Sequence, residues 1–108
     1  MTTVPQDPTL RAAYVCAAFS ADPVSNTRRV QLIARCLIRA GYLPIVPHLL
    51  FPPILNEATE RDLALRLCLR LVQLVDEVQV YGSPTEGMRL EISTAKKSGI
   101  PVRYETFG

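Results

Sequence analysis

Apolar and polar positions along the chain alternate between two kinds of pattern. Short, mostly apolar runs fall at 12–18, 42–46, 78–81 and 101–104. Runs of that length predict strands, and the continuous apolar run 12–18 predicts one covered on both faces. Longer segments with helical spacing lie between them. In 26–40, Arg28, Gln31, Arg35 and Arg39 share one face, Val30, Ile33, Ala34 and Leu37 share the other, and Gly41 supplies the stop. Segment 57–75 is ambiguous at first sight, because Leu63, Leu65, Leu67, Leu69 and Leu71 alternate as in a strand. Its length, its strong helix formers and the narrow stripe Asp62, Arg66, Arg70, Gln73 and Glu77 predict a helix. So thin a stripe leaves more apolar surface than one sheet face covers, and part of it is expected to meet a partner chain. A last helix follows the third run and stops at Ser98-Gly99.

Strands that alternate with helices predict an α/β fold, a flavodoxin/Rossmann-like three-layer sandwich with a small parallel sheet of about four strands. Residues 1–10 read as a flexible arm and 11–108 as one domain. Pro44 cannot donate to a ladder, which puts the second strand at an edge. The stretch 47–55 is too apolar for ordinary surface and reads as a loop tucked over a ligand pocket or a second subunit.

Residues 82–91 concentrate the helix-start signals. Ser83 can cap, Pro84 suits the first helical position, and Glu86 completes an S-x-x-E capping box. A strand turning sharply into a helix leaves amide groups and a positive dipole end at the sheet rim, a place for an anion. Ligands of such sheets bind beyond the carboxyl ends of the strands. That rule selects Phe19, Ser20, Asp22 and Asn26 after the first strand, His48 after the second, and 83–91 after the third. Asn26 reads first as a helix cap and Asp22 as part of an Asp-Pro turn. Asp76 and Glu77 fall at the opposite end and read as structural. Glu91 has Gly87, Met88 and Ala95 as same-face neighbours. It is either a surface carboxylate or one held in a pocket for chemistry, and the adjacent anion site favours the pocket.

Composition narrows the class. With 108 residues, 48% of them hydrophobic, the chain has the size and apolar content of one folded domain. Net charge is +2 and the arginines form no run, which argues against a nucleic-acid binder. Three cysteines without a C-x-x-C pair read as reduced core thiols of a cytoplasmic protein. One histidine and no Cys/His cluster imply no metal, and no cofactor is expected. No signal peptide pattern opens the sequence, and the apolar stretch 42–55 is broken by prolines, so no membrane span is expected.

The stretch Pro84-Thr85-Glu86-Gly87-Met88-Arg89-Leu90-Glu91-Ile92-Ser93-Thr94-Ala95 resembles the Gly-x-x-x-Glu-x-x-x-Ala segment of the nucleoside 2-deoxyribosyltransferase-like superfamily, which includes nucleotide N-glycosidases. Tyr14-Val15-Cys16-Ala17-Ala18-Phe19-Ser20 is similar to its first strand and the loop facing base or sugar. Residues 41–51 look most like its uncharacterised phage and bacterial branch. The resemblance implies Glu91 as catalytic nucleophile and Thr85 where nucleotide hydrolases bind phosphate. Two departures stand out. Cys68 occupies the place of an aspartate in characterised members, and Arg89 replaces a glycine of some relatives. Asp62 could substitute for the aspartate, or simply pair with Arg66.

The implied chemistry is attack on an anomeric carbon through an oxocarbenium-like transition state, completed by water in a hydrolase or a second base in a transferase. His48, Asp62, Asp22 and Glu86 are the candidate proton donors. A phosphate would meet the amides of Thr85, Glu86 and Gly87 near the Ser83 and Thr85 hydroxyls, unless Glu86 folds back onto Ser83. The expected partner is a nucleoside or nucleotide, and the expected assembly a homodimer or higher homo-oligomer. The rival reading is a non-catalytic nucleotide-binding or interaction module on the same fold.

Overall fold

A computed structural model describes residues 9–18 and 22–106. Its elements run β1 (Arg11–Ala17), α1 (Pro23–Arg39), β2 (Tyr42–Ile45), α2 (Pro47–Leu50), α3 (Arg61–Leu74), β3 (Glu77–Tyr81), α4 (Glu86–Lys97) and β4 (Val102–Glu105). Among these residues the strands form one four-stranded sheet in the order β2-β1-β3-β4, parallel at every pairing. The flexible arm expected at the amino terminus falls almost wholly outside the described residues.

The alternation of side chains along β1 and β3 builds two cores. Tyr14, Cys16, Val78 and Val80 point to one face, where they meet Val72 of α3, Val75, and Met88, Ile92 and Ala95 of α4. Ala13, Val15 and Ala17 point to the other, against Val30, Ile33 and Leu37 of α1. Helices thus cover both faces of a parallel sheet, the flavodoxin-like arrangement. Each fully buried valine or isoleucine contributes about 1.5–3 kcal/mol. β2 is an edge strand, and its Pro44 sits opposite Ala13.

Element boundaries depart from the sequence pattern where local polar chemistry decides them. α1 starts at Pro23, three residues before Asn26. The Asp22 carboxylate accepts from the Ser25 amide (3.3 Å) and caps the helix, while the Asn26 amide donates to the Asp22 carbonyl (2.9 Å) within its first turn. An Asp before a Pro supplies the cap and a preset φ together. The stretch 47–55 is not all loop, since Pro47 opens the short helix α2. α3 starts at Arg61 because Asn56 winds the residues before it into a turn. Its Oδ1 accepts from the Ala58 (2.9 Å) and Thr59 (3.3 Å) amides. On α3, Leu67 and Leu74 are exposed, whereas Leu63, Leu65, Leu69 and Leu71 are half-buried.

Glu77 belongs to β3 and not to the polar stripe of the preceding helix. It is 2% exposed. Arg11 Nε donates to its Oε1 (2.9 Å), and Gln79 Nε2 to its Oε2 (2.8 Å), with Arg103 Nη1 farther off at 3.5 Å. Tyr81 continues the ladder by donating to Gln79 Oε1 (2.5 Å). Beside it, Asp76 Oδ2 accepts from the Ala12 amide (2.7 Å) and ties β3 to β1. Burial pushes the Glu77 carboxyl up, but the hydrogen bonds of Gln79 and Arg11 and the charge of Arg103 outweigh it, so its pKa lies below the ordinary value. A depressed carboxylate pKa stabilises the fold above the unfolded-state value and loses that contribution as pH falls through the folded one. Glu77→Leu is expected to lower stability by about 2 kcal/mol at neutral pH, because Gln79 and two arginines lose their acceptor. In urea titrations the deficit should shrink as pH drops below about 4; a deficit independent of pH would contradict this account.

Candidate active site

β3 ends at Tyr81, and Gly82 turns the chain with φ +85°, a conformation that strains any residue with a side chain. Arg29 of α1 lies against that turn, its guanidinium nitrogens 3.4 Å from where a Cβ on Gly82 would stand. Ser83 and Pro84 precede the helix. The cap of α4 is Thr85, in extended conformation, whose Oγ1 accepts from the Met88 amide (3.3 Å) and whose own amide donates to Met88 Sδ (3.4 Å). The capping box expected from Ser83 and Glu86 is therefore displaced by two residues. Met88 is 2% exposed, so its place in the core sets the register of the first turn, and Thr85 is the hydroxyl three positions ahead of it. Glu86 is exposed, in the first turn, where a carboxylate complements the dipole.

One turn beyond Met88's amide, α4 turns Glu91 toward β1. The side chain is buried, and Oε2 accepts a hydrogen bond from the Tyr14 hydroxyl. The Cys16 thiol lies 3.9 Å from Oε1 and 3.9 Å from the Met88 carbonyl. Burial pushes Glu91 from 4.5 up to about 7, against the opposing pull of Tyr14 and Cys16. Burial and the neighbouring carboxylate hold Tyr14 well above the usual phenol range. Burial likewise pushes the Cys68 thiol to about 11, so it is neutral near pH 7, and it sits against the Tyr14 hydroxyl.

Cys68 links this buried group to a cavity of about 310 Å³ between α2 and α3. Its walls include Pro47, His48, Phe51, Leu65 and Cys68, and Glu57 and Glu60 also line it. Its volume falls in the range of small-molecule sites. Burial lowers His48 to about 4, leaving a neutral imidazole at physiological pH. The order from cavity to carboxylate is Cys68, Tyr14, Glu91.

The structure brings some of the selected residues together and separates others. His48 lines the cavity, and Glu91 lies behind its Cys68 wall. Ser83, Thr85, Glu86 and Gly87 gather at the start of α4. Asp62 is exposed in the first turn of α3 and is not on the cavity wall, although Arg61 and Ala64 are. Asp22 caps α1, and Asn26 is half-buried inside it. Phe19 and Ser20 lie outside the described residues. Sequence reasoning passed over Tyr14, Cys16 and Arg29. Tyr14 carried a signal, since a tyrosine within an apolar strand needs a partner for its hydroxyl. Among the described residues, no group of three or more His, Cys, Asp and Glu side chains could hold a metal ion, and no helix is long and apolar enough to cross a membrane.

The raised pKa makes Glu91 a pH-dependent cost. A raised carboxylate stabilises the fold fully below the unfolded value and loses that contribution as pH climbs through about 7. Glu91→Gln keeps an acceptor for Tyr14 without the charge. Its stability relative to the parent should rise between pH 4.5 and 8, by about 3 kcal/mol in total. Urea titrations of both proteins at several pH values read this directly; a pH-independent difference would show that Glu91 does not titrate as the geometry implies.

No curated protein matches the sequence. Among solved structures, the chain is similar to a 2-deoxyribosyltransferase from the psychrotolerant bacterium Bacillus psychrosaccharolyticus, with a TM-score of 0.65 and 15% identity over 88% of this chain and 72% of that one. At that identity the likeness establishes a shared fold, in agreement with the α/β sandwich described above. A family model matches residues 11–105, and the chain belongs to that family, described as a domain of unknown function (DUF7768).

Proposed function

We propose that the chain cleaves or transfers the N-glycosidic bond of a nucleoside or nucleotide, with Glu91 as nucleophile. The observation that carries the reading is a buried carboxylate, hydrogen-bonded by Tyr14, which stands between it and Cys68 on the wall of a small-molecule cavity. With a pKa of about 7, a large share of Glu91 is ionised at neutral pH. The ionised form can stabilise an oxocarbenium-like centre and then trap it as a glycosyl ester, while the electrons of the breaking C–N bond pass to the base. Water releases the sugar in a hydrolase, and a second base takes it in a transferase. Of the proton donors suggested by sequence, His48 lines the cavity; its neutral imidazole suits hydrogen bonding to the departing base more than full protonation of it.

A phosphate on the substrate fits the start of α4. Thr85 and Met88 cap the helix between them, so the cap does not draw Glu86 back onto Ser83, and Arg29 adds a guanidinium beside the Gly82 turn. The alternative reading, a nucleotide-binding module without turnover, is favoured by the neutral thiol of Cys68 on the cavity wall, where the sequence resemblance places an aspartate.

Incubation with a panel of nucleosides and 5′-monophosphates, followed by chromatography for free base, tests the chemistry. Base should appear from at least one substrate, with kcat/KM rising with pH through about 7 as Glu91 ionises. Glu91→Gln should lower turnover by roughly a thousandfold or more. Monophosphate binding without any base release would leave the binding module as the function. Thr85→Ala and Arg29→Ala should each weaken monophosphate binding several-fold and leave nucleoside binding unchanged; equal losses for both ligands would remove the phosphate from the proposal.

A further inference from the structure

An N-glycosidic bond breaks only if the base can carry away the bond's electrons, and a neutral base does so readily only when an acid protonates it. Among the described residues, the groups around the cavity are poor acids for that task. His48 and Cys68 stand on its wall. Burial lowers His48 to about 4 and raises the Cys68 thiol to about 11. Near pH 7 the imidazole therefore carries no acidic proton, and the thiol gives its own up reluctantly. The Tyr14 hydroxyl behind Cys68 donates to Glu91, and Glu91 must itself be ionised to attack. Of the other donors that the sequence suggested, Asp22 caps α1, Asp62 is exposed and off the wall, and Glu86 is exposed in the first turn of α4.

Glu57, Glu60 and Arg61 complete the charged lining, where the chain enters α3. Glu60 Oε1 accepts from the Asn56 amide (2.9 Å), a neutral donor that leaves the negative charge in place. Two carboxylates against one guanidinium favour a positive occupant, and the ring of Phe51 on the same lining favours it further. Ionised Glu91 adds a negative charge behind Tyr14. A neutral base can enter this cavity, but no described residue on its wall is suited to protonate it on departure. A base that arrives already positive needs no proton, because breaking the bond neutralises it.

We infer, resting on the glycosidic role proposed for Glu91, that the preferred substrate carries its base as a cation: an N-glycoside of a quaternised ring, either a pyridinium or an N7-alkylated purine. The Glu91 carboxylate oxygen bonds to the anomeric carbon as the C–N bond breaks. The electron pair of that bond returns to the ring nitrogen and cancels its positive charge, so the base departs neutral with no proton supplied. Water then bonds to the anomeric carbon, the Glu91 oxygen leaves with the electron pair of the ester bond, and one proton passes to solvent. A positioned general acid contributes about 10²–10⁴-fold to such reactions. Its absence slows the release of neutral bases by about that factor and does not touch cationic ones.

Two matched pairs of substrates test it: N-ribosylnicotinamide with its neutral 1,4-dihydro form, and 7-methylguanosine with guanosine. Free base is followed by chromatography in the parent, Glu91→Gln and Cys68→Asp proteins, each checked for folding by circular dichroism. In the parent, kcat/KM for the cationic member of at least one pair should exceed that of its neutral partner by about a hundredfold or more. The pair that shows the preference identifies the ring. Cys68→Asp places an acid on the wall and should narrow that ratio by about tenfold or more, whatever it does to the absolute rates. Cationic-base release should be lost in Glu91→Gln. Neutral bases released as fast as cationic ones, or a folded Cys68→Asp protein with the parent's ratio, would overturn the inference. If such neutral-base release still depends on Glu91, the glycosidic reading stands and only the cationic preference falls; if neither class is cleaved, both fall.

Discussion

The contact between Tyr14 and Glu91 ties the central strand to the helix that returns over it. α4 leaves the end of β3, and because β1 is the neighbour of β3, its inner face lies over β1 as well. Glu91 occupies that face among Met88, Ile92 and Ala95, where an apolar side chain would pack at no electrostatic cost. A carboxylate there keeps its place because Tyr14 and Cys16 direct hydrogens at it, and the apolar packing around it offsets what its desolvation costs. Its raised pKa follows from neutral donors that compensate burial only in part.

The other buried glutamate gives the contrast. Glu77 and Glu91 are both nearly inaccessible, yet their pKa values move in opposite directions. Glu77 has Arg11 and Arg103 against it, cations long enough to reach from solvent over the sheet, and its charge is held in place. Glu91 receives neutral donors. A paired carboxylate at the amino end of a strand fastens elements together. One left close to neutrality, beside a cavity, is a group whose charge a ligand can change.

The fold was legible in the sequence because its signals are redundant. Four apolar runs, helical spacing between them and a proline in an edge strand all point to the same sandwich, and errors at single boundaries leave it intact. The boundaries were less legible because polar side chains compete for them. Asp22 caps α1 ahead of Asn26, Asn56 delays α3, and Thr85 caps α4 in place of Ser83. At α4 the competition turns on Met88, which the core holds in register, information that is not local. The candidate site was legible only as a rim. Glu91 could be picked out on its helix, but its partners Tyr14 and Cys16 stand more than seventy residues earlier, at separations of 77 and 75. The cavity wall joining α2 to Cys68 likewise appears only once the sheet order is known.

The protonation states around the cavity set a condition on the proposed chemistry. His48 and Cys68 are neutral near pH 7, and Glu91 is poised between its two forms. A substrate with a neutral base can therefore enter without displacing a fixed charge from the inner wall. The positive character that develops at an anomeric carbon would then favour ionised Glu91, so the charge the site needs is strengthened by the reaction itself. A phosphate at the start of α4 acts in the opposite sense on the same carboxylate, and Arg29 beside Gly82 would offset part of that phosphate's charge. On the proposed reading, a nucleotide substrate, as distinct from a nucleoside, would depend on Arg29.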